Sequence, residues 1–169
     1  MDMKILSGLV NIEKLQDFLR EINNVSSAHG VTIQALNSDL IAGERHITFA
    51  AEKANIAMEK GTNVAKDPGI EIMRYASGKR QIEEAFSMGL HEGVNRVAFV
   101  LMGENEAIGK AAAELGNVMD EKPLIDYTPE KRDKIVSQFN ITDMEIETVG
   151  EDRISDLVIE RVALVDIMK

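Results

Sequence analysis

The sequence has no cysteine and no tryptophan, and only three prolines, five phenylalanines and two tyrosines in 169 residues. Without cysteine there are no disulfides, no thiolate metal sites and no thiol nucleophile, which fits a reducing compartment. No apolar run reaches the roughly 20 residues a membrane helix needs. The N-terminus, MDMKILSGLVNI, lacks the basic head and long apolar stretch of a secretion signal. A cytoplasmic protein without membrane attachment is therefore expected. So few aromatic side chains argue against a long base-stacking groove.

Catalytic signatures are missing too. The chain contains no GxxxxGK[ST] loop, no GxGxxG, no GxSxG elbow and no HExxH. Its three histidines, His29, His46 and His91, are scattered, and none has a partner at the spacing that would place two metal ligands on one helix face. The sequence therefore assigns no catalytic residue, no metal and no cofactor. A non-enzyme is expected.

What the chain does have is core material, 44% hydrophobic residues, and a formal charge of -10. Length and composition together predict one folded domain over residues 1–169. The charge is uneven. Residues 44–81 carry seven basic and five acidic side chains, whereas residues 82–169 carry nine basic and nineteen acidic. Long-range attraction of a polyanion is unfavourable for such a molecule, but a local anion site in the middle third is permitted. A solvated helix face accounts for the same cluster.

Hydrophobic patterning predicts a strand over Met3–Val10 with a break at Ser7-Gly8. It then predicts a helix from Ile12 to Ala28 capped by Asn11, with an apolar stripe of Leu15, Phe18, Leu19, Ile22 and Val25, and a strand over Val31–Leu36. An alanine-rich helix follows over Glu44–Lys60, stopped by Gly61. Pro68-Gly69 reads as a turn, Ile70–Met73 as strand or helix, and Lys79–Met88 as helix. Val94–Met102 is rich in β-branched residues and reads as a strand, followed by a helix over Glu104–Leu115. Thr128-Pro129 opens a helix to about Asn140, Thr142 to Glu145 has capping-box spacing, and Asp152–Met168 is helical. The expected class is α+β: a single domain with a small mixed β-sheet covered by several α-helices.

Two segments stand out. Arg74-Tyr75-Ala76-Ser77-Gly78-Lys79-Arg80 places three cations beside one of the two tyrosines. Read as a helix start, Ser77-Gly78 would offer unpaired N–H groups and a positive dipole end to a phosphate. Arg74, Lys79 and Arg80 would grip it, and Tyr75 would stack on one exposed base. An ordinary Ser-capped helix start explains the same residues. The second segment is the last helix. Ile154, Leu157, Val158, Arg161, Leu164, Val165 and Met168 recur at three and four, and Ile159, Val162, Ala163 and Ile167 form a second apolar face. Such a helix either lies in its own core or docks on a partner.

Ile41-Ala42-Gly43-Glu44-Arg45-His46-Ile47, Ile70 to Ile82 (IEIMRYASGKRQI) and Asp156 to Leu164 (DLVIERVAL) resemble the kinase-binding subunit of the KEOPS complex. This is the family of the PRPK-binding protein, in its archaeal form. The resemblance covers nearly the full chain, while the segments around Leu90–Asn95 and Val118–Tyr127 carry no matching motif. It implies a mixed α/β fold, no catalysis of its own, and a partner in the small atypical protein kinase or ATPase of that complex. The complex makes the threonylcarbamoyl modification of adenosine next to the anticodon, and the family is taken to hold the single-stranded CCA end of tRNA. On this basis Arg74, Tyr75, Ser77, Gly78, Lys79, Arg80 and His46 are the expected RNA-binding residues, His46 on the family motif alone. Leu157, Val158, Arg161, Leu164 and Val165 are the expected partner-facing set. The competing expectation is a small-molecule enzyme or binding protein for a phosphorylated metabolite, with the basic cluster lining a deep pocket.

Overall fold

The structure is a computed structural model describing residues 2–167. Along the chain the elements are β1 (Asp2–Ile12), α1 (Leu15–His29), β2 (Thr32–Asn37), α2 (Glu44–Lys60), α3 (Pro68–Ala76) and α4 (Ile82–Ala85). There follow β3 (Gly93–Gly103), α5 (Asn105–Leu115), β4 (Asp120–Glu121), α6 (Arg132–Gln138), α7 (Asp143–Val149) and α8 (Ile154–Ala163). Short 3-10 turns precede α6 and α8, and another, Val165–Ile167, follows α8. The class is α+β. Within the span expected as one domain, packing forms two compact units: residues up to Ser38 with Gly89–Leu124, and Asp39–Met88 with the chain from Ile125 onward. No helix among the described residues is long and apolar enough to cross a membrane.

The first unit is a four-stranded sheet in the order β2-β3-β1-β4, every pairing antiparallel. Because β3 lies between them, β1 and β2 run in the same direction without touching, a split βαβ arrangement. The expected mixed sheet becomes antiparallel for that reason. β1 pairs with β3 without interruption from Asp2↔Gly103 to Ile12↔Gly93, so Ser7-Gly8 is not a break. It is where β4 docks. The Ser7 hydroxyl donates to the Lys122 carbonyl at 2.6 Å and accepts from the Leu124 N–H. A Cβ on Gly8 would lie 2.4 Å from the Asp120 carbonyl oxygen, so only glycine admits the short edge strand. The long strand also claims Asn11 and Ile12, which delays α1 to Leu15, whose N–H donates to Glu92. Phe18 and Ile22 of α1, with Ile108, Ala111 and Leu115 of α5, bury against Leu6, Val97, Phe99 and Leu101 of the sheet. Each large side chain removed from water this way contributes about 1.5–3 kcal/mol. Leu19 of the predicted stripe stays exposed.

In the second unit, α2 has the predicted bounds, and Gly61 ends it in the left-handed conformation. Ala50, Ala51, Ala54 and Ala57 are buried and let α3 and α8 approach its backbone closely. Pro68-Gly69 is not a turn. Asp67 accepts from the Gly69 and Ile70 N–H groups, and Pro68 occupies the first helical position, so these residues open α3. α3 runs to Ala76, and the helix expected over Lys79–Met88 is shortened to α4 plus a 3-10 turn. Thr142 and Glu145 form the capping box of α7 as predicted. Ile135, Phe139, Ile146, Ile154, Leu157 and Val158 make a second core joining α6, α7 and α8. The helix expected over Asp152–Met168 is regular over Ile154–Ala163, and Met168 lies outside the described residues.

Candidate functional site

The basic segment of the sequence occupies the end of α3 and the turn after it, and its parts have unequal roles. Ser77 is the C-cap of α3, not the start of the next helix, and Gly78 adopts φ +70°. The helix therefore presents its carbonyl end, so the expected phosphate nest of N–H groups at Ser77-Gly78 is corrected. Lys79 and Arg80 complement a negative dipole end instead. Ser77 is fully buried, its hydroxyl donating to the Arg74 carbonyl and accepting from the Lys79 N–H. Gly78 is required twice over: by its left-handed conformation, and because a Cβ there would meet the Phe139 ring at 2.9 Å.

Arg74 is 1% exposed, and its guanidinium is committed within the chain. Nε and Nη2 donate to the two carboxylate oxygens of Glu71, at 2.8 and 3.0 Å, and Nη1 donates to the Arg80 carbonyl at 3.0 Å. Glu71, fully buried one helical turn earlier, also accepts from the N–H groups of Val64 and Ala65. One buried ion pair thus fixes two loops, residues 61–67 and 77–81. This commitment leaves Arg74 only its Nη2 edge toward Asp166 and the cleft in place of the free grip expected, and the buried Tyr75 ring has no exposed face for the expected stacking on a base. Tyr75 is 2% exposed and donates its hydroxyl to Asp166 at 2.7 Å, while the Arg74 guanidinium lies 4.7 Å from its ring centre. Burial, then Asp166, push the Tyr75 phenol up.

His46 is fully buried. Its Nδ1 accepts from the Ala42 N–H at 3.0 Å and its Nε2 donates to the Ala76 carbonyl at 2.8 Å, fixing the neutral Nε2–H tautomer. Burial lowers its pKa to about 4; the bond to Ala76 opposes the shift and Lys131 adds to it. The Phe139 ring meets it edge-on at 5.5 Å. No edge of this imidazole is left for a nucleotide, and its assignment to RNA is corrected. Its place in the Ile41 to Ile47 motif is structural: it ties the start of α2 to the end of α3.

Around this framework lies a cleft of about 480 Å³. Lys53, Ile56 and Lys60 of α2 form one wall, Val64 and Arg80 stand on the two pinned loops, and Arg74, Tyr75 and Asp166 line the rest. Ile56 and Val64 are about half exposed, at 48% and 51%. The lining holds four cations and one carboxylate, beside apolar surface. Of the residues expected for RNA, Arg80 is exposed on this cleft, and Lys79 faces two others, where its ammonium donates to the Gln138 carbonyl. Lys53, Ile56, Lys60, Val64 and Asp166 were missed in the sequence. The first three had a signal: they recur at three and four along α2, on the face beside the alanine stripe. Among the described residues no group of three or more His, Asp or Glu is placed to hold a metal ion.

The partner-facing set is corrected as well. Leu157, Val158 and Val165 are buried in the unit's own core. Arg161 donates to the carbonyls of Phe139 and Asn140 and to Glu145, whose pKa it draws down to about 2. Only Leu164 of that set is a half-buried apolar side chain. The outward positions on α8 and the following turn are Ala163 and Ile167, the latter 71% exposed, with Ile159 half-buried beside them. The seam was correctly apolar, but it faces inward.

Comparison with known proteins adds two findings. The model of the family "Kinase binding protein CGI-121" matches residues 9–166. A relative from Methanocaldococcus jannaschii, "Regulatory protein Cgi121", is 28% identical over 149 residues, covering 88% of this chain and 92% of the relative. With nearly its whole length matched, and with the resembling motifs at the start of α2, through α3 and along α8 inside the match, the chain belongs to the CGI-121 kinase-binding protein family.

Proposed function

We propose that this chain is a non-catalytic subunit of the KEOPS tRNA-modification complex, binding the small atypical kinase or ATPase subunit and receiving the CCA end of tRNA. The family match over residues 9–166 carries the reading. The cleft supports its RNA half. A single-stranded end needs cations for its phosphates and apolar surface for its bases, and Lys53, Lys60 and Arg80 stand beside Ile56 and Val64. In a chain of net charge -10, this is a local contact. Most of the salt-sensitive affinity for tRNA comes from basic partners in the assembly.

Arg74 is the wrong residue on which to test the RNA contact, since its loss would undo the buried pair. Lys60→Ala combined with Arg80→Ala should instead weaken binding of CCA-ended tRNA about tenfold at low salt and flatten its salt dependence, with the circular dichroism spectrum unchanged. Trimming CCA from the tRNA should lower wild-type affinity to a similar level. Equal affinity of trimmed and intact tRNA for the wild type would refute the RNA half. Displacement of the RNA by free phosphorylated metabolites would favour a small-molecule site.

The kinase half needs a surface, and Ala163 and Ile167, beside the half-buried Ile159, supply apolar positions that the core does not cover. Cutting the chain after Glu160 would remove Val162 and Val165, both fully buried, and so would report on folding. Point changes avoid this. Ala163→Arg with Ile167→Asp should weaken capture by the kinase at least about tenfold, as expected when charge enters an apolar contact, while melting temperature and RNA affinity hold. Undiminished capture would move the interface off α8.

A further inference from the structure

Asp166 is the one carboxylate lining the cleft among the described residues, and three donors surround it. It belongs to the 3-10 turn Val165–Ile167, anchored by the fully buried Val165. Its Oδ1 accepts from the Tyr75 hydroxyl at 2.7 Å and lies 3.9 Å from Arg74 Nη2, and its Oδ2 lies 3.7 Å from Lys53 Nζ. Lys60 and Arg80 complete the lining. One hydroxyl donor, one guanidinium and one ammonium therefore converge on two oxygens. A phosphate oxyanion asks for the same donor set. Tyr75 and Arg74 are themselves held: the ring stacks beneath the guanidinium, and Glu71 fixes the guanidinium from behind. The donors are thus preorganised, while the acceptor is about half exposed and can be displaced.

We propose that the Asp166 carboxylate occupies, in the unliganded chain, the seat that a phosphate group of the cleft's ligand takes, so that Asp166 is an intramolecular competitor limiting anion affinity. The seat is built from Tyr75 Oη, Arg74 Nη2 and Lys53 Nζ. This rests on the reading of the cleft as the site for an RNA end, but the seat itself requires only a phosphate. Its signature is a gain. Most substitutions in a binding site weaken it, whereas removal of this charge strengthens the site. Asn in place of Asp keeps the shape and an acceptor for Tyr75, and removes only the negative charge. One charge roughly 4 Å from the bound anion, partly screened by solvent, corresponds to an affinity change of about tenfold.

The test uses the full chain and two probes at fixed ionic strength. Inorganic pyrophosphate, titrated by calorimetry, should bind Asp166→Asn about tenfold more tightly than wild type. Asp156→Asn is the control, since Asp156 pairs with Arg45 and Arg153 away from the cleft and carries the same charge. It should leave the affinity unchanged. Equal or weaker binding by Asp166→Asn overturns the proposal, as does an equal gain in both variants, which would report net charge alone. The second probe is a short RNA ending in CCA. If it binds neither protein while the pyrophosphate gain is present, the phosphate seat stands and the RNA reading falls. If it binds wild type and neither probe gains from Asp166→Asn, the seat falls and the RNA reading stands.

Discussion

Replacing Glu71 by Ala should cost about 3–5 kcal/mol of folding stability, the range for removing one member of a buried ion pair. The carboxylate takes four hydrogen bonds: two from Arg74 and one each from the Val64 and Ala65 N–H groups. Without it the buried Arg74 cation keeps the Arg80 carbonyl and, 3.9 Å away, the half-exposed Asp166 carboxylate. The two amides lose their acceptor as well. In a domain whose total stability is about 5–15 kcal/mol, this is the largest single-residue effect expected here. Urea denaturation followed by circular dichroism measures it. Glu71→Leu combined with Arg74→Met should recover part of the loss, because desolvating two charges offsets much of what their attraction returns, while the Val64 and Ala65 amides stay without their acceptor. A cost below about 1 kcal/mol for Glu71→Ala would show that water reaches Arg74 and that the pair does not organise the cleft.

The sequence revealed most where local punctuation sets the structure. Gly43 and Gly61 bracket α2, β-branched residues mark β3, and Thr142 with Glu145 opens α7. It misled where a distant partner decides. Ser7-Gly8 reads as an interruption until β4 needs the space, and Asn11 reads as a cap until β1 pairs it with Val94. The apolar seam of α8 was legible, but periodicity shows that a face is buried and not what buries it. Similarly, the density of cations from Arg74 to Arg80 was visible, while their availability was not. Glu71, three residues before Arg74 on the same helix face, was the overlooked sign that this arginine is neutralised from within. The partners of His46 are backbone groups of Ala42 and Ala76, which leave no trace in residue identities. Lys53 and Lys60 of α2 and Asp166 of the turn after α8 reach the cleft from two distant places in the chain, so only the fold assembles that set.

His46 should make stability fall as pH drops from about 6.5 to 4. In the folded chain the buried ring holds a pKa of about 4, against 6.5 when exposed. Below 6.5 the unfolded chain is therefore the better proton binder, and stability present above that pH is lost until the folded ring also protonates. The shift corresponds to about 3 kcal/mol across the window. Protonation would set an N–H against the Ala42 N–H where Nδ1 now accepts, so the buried ring cannot take the charge without breaking that bond. Glu145 acts in a lower window. Held down to about 2, mainly by Arg161, its contribution is present above 4.5 and disappears as pH falls toward 2. Urea denaturation across pH 7 to 3 should thus show two successive losses. His46→Gln offers an acceptor and a donor with no proton to gain, so it should abolish the first loss and keep the second. Nitrogen chemical shifts of the wild-type ring provide an independent measure, showing a neutral Nε2–H imidazole at pH 5. Observation of an imidazolium at that pH, or an unchanged pH profile in His46→Gln, would show that His46 does not lock α2 to α3 in its neutral form.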